Sequence, residues 1–181
     1  MPETFARISP HPGGHMHRFE SHIRNVPDFP KTGIMFKDIS PLLSERFQEV
    51  IEEMASQIDW SDIDLVVGIE SRGFILGAAM AQLKGKGFVP MRKKGKLPPP
   101  VIAESYELEY GSDTLELVQN QKKARVLLVD DVLATGGTLK AAMNLCQKNN
   151  YEVKGLSLLI NLTFLNQFKE QGLPVFSVLN Y

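Results

Sequence analysis

The sequence has little from which to build a metal or redox centre of its own. One cysteine among 181 residues excludes an internal disulfide. That residue, Cys146, falls at helical spacing with Leu139, Ala142 and Met143, where a buried and inert thiol is expected. Three of the four histidines (His11, His15 and His17) crowd into the N-terminal stretch. Their spacing fits no set of metal ligands, and an irregular terminus is the simpler account. A formal net charge of −1 offers no basic field for nucleic acid. No apolar run reaches membrane-spanning length and no secretory leader is recognisable, so a reducing cytoplasm is the expected location. Neither a G-x-G-x-x-G fingerprint nor a Walker-type lysine turn occurs, which argues against a dinucleotide-binding or P-loop module.

What is present is an ordinary globular composition, 43% hydrophobic and 23% charged, of a size that suits one domain. Residues 1–20 are irregular and rich in Pro, Gly and His, and are expected to be a disordered extension. Gly14-His15-Met16 looks like a cloning scar, which would start the natural chain at Met16. Residues 21–181 then form a single domain with no internal repeat. Phe47, Val50, Ile51 and Met54 recur at helical spacing and predict a packing face. Short apolar strands are predicted at 65–69, 88–91, 126–129, 153–161 and 175–179, with helices after the first and third. This alternation predicts an α/β fold with a mostly parallel central sheet flanked by helices. Residues 92–111 contain Pro98-Pro99-Pro100 and little helical character, and read as a long functional or disordered loop.

The chemistry concentrates in the segment 125–139, RVLLVDDVLATGGTL. Its apolar run reads as a buried parallel strand that stops at Asp130 and Asp131. A small turn follows, Ala134-Thr135-Gly136-Gly137-Thr138, and then an amphipathic helix begins. Bare backbone N–H groups and two hydroxyls at a helix N-terminus make a ready anion site. Two carboxylates would repel a phosphate but suit the vicinal hydroxyls of a sugar, so the segment suggests a phosphorylated ribose. Ordinary capping by Asp and Thr around a tight glycine turn is the plainer account of the same residues. A second strand-to-helix turn, Glu70-Ser71-Arg72-Gly73, adds a hydroxyl and a guanidinium suited to a diphosphate. The cluster Arg92-Lys93-Lys94-Gly95-Lys96 is either a solvated charge run or electrostatic help for a departing anion.

The string VLLVDDVLATGGT closely resembles the phosphoribosyl-pyrophosphate (PRPP) motif of the type I phosphoribosyltransferase family. The resemblance extends to segments 23–30, 33–39, 92–98 and 105–111, and covers nearly everything from Ile23 to Tyr181, most closely its adenine-using members. It implies the family's fold with a small N-terminal hood and a long mobile catalytic loop. Asp130 and Asp131 would contact the ribose hydroxyls, and Ala134, Thr135, Gly136, Gly137 and Thr138 would hold the 5′-phosphate. Glu70, Ser71, Arg72 and Gly73 resemble the pyrophosphate loop, with Arg92 and Lys96 assisting. Phe36 would stack on adenine, the main chain at Met35 and Lys37 would read its edge, and Leu159 would form an apolar wall. Core packing is the alternative for Phe36 and Leu159.

The implied reaction is adenine plus PRPP giving AMP and pyrophosphate, with Arg72 stabilising the leaving group. Glu109 is the candidate for proton transfer at N9, with Tyr110 helping to close the site, although a loop Glu also serves solubility alone. Mg2+ would ride in on PRPP, with no ligand from the chain directly. A homodimer is expected by the same resemblance, with no nucleic acid or membrane partner. The competing expectations are a 6-oxopurine transferase of the same fold and a PRPP-binding regulatory protein.

Overall fold

The computed structural model describes residues 17–108, 111–120, 122–169 and 172–181. It divides into two compact units, Met1–Glu45 and Arg46–Tyr181. In the first, β1 (Arg24–Pro27) pairs antiparallel with β2 (Met35–Asp38), with Arg24 opposite Asp38 and Val26 opposite Phe36. The connection is tight because Asp28 accepts a 2.7 Å hydrogen bond from the Gly33 amide. Asp38 then starts helix α1 (Ser40–Ser56) by accepting from the Ser40 amide and hydroxyl at 2.9 and 2.6 Å. Those bonds from Ser40, against the opposing effect of burial, hold the Asp38 carboxyl below its usual range. Among the described residues β2 has β1 as its one sheet neighbour, so its second edge is not consumed by a ladder.

Helix α1 carries the chain across the unit boundary, with a break in helical geometry at Arg46. Val50, Ile51 and Met54 are buried as their spacing predicts. Phe47, expected on the same face, is 38% exposed, because the break at Arg46 precedes it by one residue.

The second unit is built on a sheet of seven described strands in the order β5-β6-β4-β3-β7-β8-β9. Its centre is β3 (Leu65–Ile69) and β7 (Ala124–Leu133), flanked by β4 (Gly87–Lys93), β8 (Tyr151–Asn161) and β9 (Val175–Asn180), all parallel. Near-continuous apolar runs such as Leu65-Val66-Val67 and Val126-Leu127-Leu128-Val129 suit strands covered on both faces. Helix α2 (Arg72–Lys84) packs on β3, β7 and β4, where Gly77 approaches Val129. Helix α3 (Gly137–Lys148) contributes Leu139, Ala142, Leu145 and Cys146 to a cluster with Val67, Ile69, Val126 and Leu128. Alternate residues of β7 therefore serve the two helices.

The stretch 92–111, expected to be a loop, is largely strand. β5 (Val101–Leu108) pairs with β6 (Gly111–Val118) along its whole length, and β6 adds antiparallel to β4 through Arg92 opposite Glu116. Val101, Ile102, Tyr106 and the buried Leu115 and Leu117 supply the β-branched and alternating apolar character that the proline run masks in the sequence. The chain leaves β3 through α2 toward β4 and leaves β7 through α3 toward β8, in opposite directions. The carboxyl ends of β3 and β7 therefore form a topological switch point, where ligands of such sheets bind.

Candidate active site

At that switch point lies an open cavity of about 520 Å3. It brings together residues the sequence keeps 60 positions apart: Glu70, Ser71 and Arg72 after β3, and Asp130, Asp131 and Thr138 at the end of β7 and the start of α3. Lys96 also lines it. The joining is tight at Gly73, where a Cβ would lie 2.6 Å from the Val129 carbonyl oxygen and 3.1 Å from Asp130 Oδ1. Glycine at this position lets the first turn of α2 seat against the end of β7.

Both helices open onto the cavity side of the sheet without a side-chain cap. The N-cap of α2 is Ser71 and that of α3 is Gly136, neither makes a side-chain capping bond, and neither first turn carries an acid. Their first amides and dipoles favour an anion. Gly136 has φ +91°, the left-handed conformation that turns the chain sharply into α3. The Asn166 side-chain amide donates to the Ala134 carbonyl at 2.8 Å, on the far side of the same turn.

Asp130 and Asp131 differ in surroundings. Asp130 is 8% exposed and its Oδ1 accepts from the Asp131 amide at 2.9 Å. Burial, and next the neighbouring Asp131 charge, push its carboxyl well above the usual range. Asp131 is 6% exposed; its Oδ2 accepts no directed hydrogen bond and lies 2.7 Å from Arg72 Nη2. The guanidinium expected to clamp a diphosphate thus also faces an acid of the neighbouring turn.

Glu70 gathers the basic cluster. It accepts from the Lys93 amide at 2.9 Å, pairs with Arg92 Nε at 3.4 Å and binds the Lys96 ammonium. Burial opposes its ionisation, but the bonds from Lys96, the Lys93 amide and Arg92 prevail and lower its carboxyl. Glu70 therefore holds the cations of the cluster in this structure. Arg92 also donates to the Lys96 carbonyl at 3.2 Å, which fixes the turn between β4 and β5.

Two lining residues, Tyr106 and Asp113, carry no individual role in the sequence reading, and a third, Lys93, enters it only as a member of the basic cluster. Lys93 pairs with Asp113 at 2.8 Å, and Tyr106 lies beside Thr138 and Asp113. Burial raises the half-buried Tyr106 hydroxyl above its ordinary value. Lys93 and Tyr106 sit inside segments the sequence flagged, whereas Asp113 reaches the site through the β5–β6 pairing that was not anticipated.

Glu109 and Tyr110 lie outside the described residues. So do His11 and His15; among the described residues no group of three or more His, Cys, Asp or Glu could hold a metal. Leu159 is fully buried within β8 and does not line this cavity. In β2, Met35 is 52% exposed, the Phe36 ring packs edge-on against Phe29 at 5.1 Å, and Lys37 donates to Asn25 at 2.8 Å. Cys146 is buried, and burial pushes its thiol up to about 12.

Residues 40–161 match the family model described as phosphoribosyl transferase domain. An adenine phosphoribosyltransferase of Bdellovibrio bacteriovorus is 49% identical over 164 residues, covering 90% of this chain and 98% of that protein. The crystal structure of the adenine phosphoribosyltransferase from Rhodothermus marinus superposes with a TM-score of 0.83 at 46% identity, covering 90% and 96% of the two chains. That of the Giardia lamblia enzyme complexed with 9-deazaadenine does so at 0.78 and 39% identity, over 92% and 99%.

Proposed function

The chain belongs to the phosphoribosyl transferase family, and from that premise we infer that it transfers the 5-phosphoribosyl group of PRPP to N9 of adenine, giving AMP and pyrophosphate. The observation that carries this reading is the pair of uncapped helix N-termini, α2 and α3, meeting at one cavity with two buried acids between them. A ligand with a phosphate at each end and a diol in the middle matches that order. The amides and hydroxyls of 134–138 take the 5′-phosphate, Asp130 and Asp131 take the ribose hydroxyls, and Ser71, Arg72 and Gly73 take the pyrophosphate. Lys96 and Arg92, aimed by Glu70, add positive charge where negative charge develops as the C1′–O bond breaks.

As the bond between C1′ and N9 forms, the pyrophosphate oxygen leaves with its electron pair and the N9 proton passes to Glu109. Tyr110 is assigned to closing the site, which would keep water from the ribosyl cation. The exposed edge of β2 supports the assignment of the Met35 and Lys37 main chain to the base edge, since an edge strand offers alternating N–H and C=O groups. Phe36 is assigned to stacking on the base, and Leu159, fully buried within β8, is left to core packing.

Adjacent acids with no third ligand among the described residues suit a Mg2+ that arrives with PRPP. Asp130 and Asp131 would help hold it through the ribose hydroxyls, and it would supply charge neutralisation for the leaving group. No described helix is long and apolar enough to cross a membrane. The resemblance further assigns the enzyme to the cytoplasm as a homodimer, and exposed Ile75 and Leu83 on α2 are apolar surface consistent with a partner. Incubation with PRPP, Mg2+ and each purine in turn tests the reading. AMP from adenine is expected; nucleotide from hypoxanthine or guanine instead would favour the 6-oxopurine alternative.

A further inference from the structure

The phosphate turn has a support that no part of the reaction scheme accounts for. Beyond β8 the chain runs alongside the end of β7, with the Leu162 amide donating to the Leu133 carbonyl at 2.9 Å. This places Asn166 behind the turn. Its Nδ2 donates at 2.8 Å to both the Ala134 and the Leu162 carbonyls, with Asn161 Oδ1 at 3.2 Å, and its Oδ1 accepts from the Phe168 amide at 3.1 Å. The last bond sets Phe168 against Gly136, so closely that a Cβ there would meet Phe168 Cδ2 at 2.6 Å. Every polar atom of the Asn166 side chain is thus spent on backbone, and one of its partners is the first residue of the phosphate turn.

We propose that Asn166 is a positioning residue for the 5′-phosphate, with Phe168 as the surface against which the left-handed Gly136 is seated. The proposal rests on the PRPP reading of the site. Across a trans peptide the C=O and N–H point in opposite directions. Pinning the Ala134 carbonyl backwards therefore turns the Thr135 N–H away from Asn166, to the side of the turn that faces the anion. An unsupported turn rotates this peptide and forfeits one preorganised donor to a charged ligand.

The test compares the full-length wild type with Asn166→Ala and with the isosteric Asn166→Asp. Binding of ribose 5-phosphate and of adenine is measured separately by calorimetry, and kcat and KM for PRPP by AMP formation. Asn166→Ala should weaken ribose 5-phosphate and raise KM for PRPP by about tenfold. Adenine affinity should stay within about twofold and kcat should fall far less than KM rises. Asn166→Asp keeps the acceptor for Phe168 and so preserves the local fold. It sets a carboxylate against two carbonyls, and should weaken the phosphate ligand further at pH 8. Part of that loss should return at pH 5.5 relative to wild type, because a protonated carboxyl can donate to Ala134 again. Unchanged ribose 5-phosphate binding in both variants, or equal losses of phosphate ligand and adenine, would overturn the proposal alone. A wild type that takes up no ribose 5-phosphate would overturn the site reading itself.

Discussion

Asparagine in place of Asp130 separates what the acid pair costs the fold from what it does for the ligand. Two adjacent side chains, 8% and 6% exposed, carry the potential for two negative charges with Arg72 as the close cation. Burial and then the Asp131 charge raise the Asp130 carboxyl in the folded protein. A raised folded value means that the contribution to stability is fully present below the unfolded value near 4. It is lost as pH rises through the folded value and stays lost above it. Asparagine cannot ionise, and its oxygen still accepts from the Asp131 amide. The ligand-free variant should therefore melt higher than wild type at neutral pH, by about 2–4 °C for each kcal/mol relieved, and the gain should fade toward about pH 4. Catalysis should move the other way. A charged acceptor for a ribose hydroxyl contributes about 1.5–3 kcal/mol, so kcat/KM for PRPP should drop about 10- to 150-fold. Asn at both positions should all but abolish AMP formation, and not additively, since the two residues are adjacent and the Asp130 side chain bonds to the Asp131 amide. Thermal melts across pH 4–8 and steady-state kinetics measure both effects. Near-normal turnover would remove ribose recognition from these positions, and a lower, pH-independent melting temperature would refute the electrostatic argument.

Gly136→Ala should lower the melting temperature, because φ +91° costs a non-glycine residue about 1–2 kcal/mol and the methyl would strike Phe168. KM for PRPP should rise with it, and an unaffected melting curve would contradict the left-handed turn. Glu109→Gln should depress kcat while leaving adenine affinity nearly intact; an unchanged kcat clears that residue of proton transfer. Cys146, buried with its thiol pushed up to about 12, should resist a thiol-specific chromogenic reagent at pH 8 until denaturant is added. Rapid labelling of the native protein would contradict its burial.

Much of this architecture was legible because it rests on local pattern. Continuous apolar runs at 65–69 and 126–129 announced buried parallel strands, and the small, glycine-bearing turns after them announced the helix starts at Arg72 and Gly137. Asp130, Asp131, Thr138, Ser71 and Arg72 fall on those turns, so one alignment of strand ends brings them to one cavity. The stretch 92–111 was misread because three prolines and a charge run hide strands whose partner lies just beyond, and pairing energy is a property of two segments. Phe47 was misread because a break in helical geometry shifts the face on which a periodic residue falls.

Residue types and their order along the chain were thus enough to determine two strand-to-helix turns with uncapped helix starts, one of them preceded by paired acids, and to propose a phosphoribosyl site there. Only the tertiary structure decided how its charges are disposed: Glu70 holding Arg92 and Lys96, Arg72 facing Asp131, and Asn166 reaching across 32 positions to Ala134. Local pattern reports what a segment prefers by itself. Distances of 2.7–3.4 Å between groups far apart in the chain exist only after the sheet has set its strand order and register.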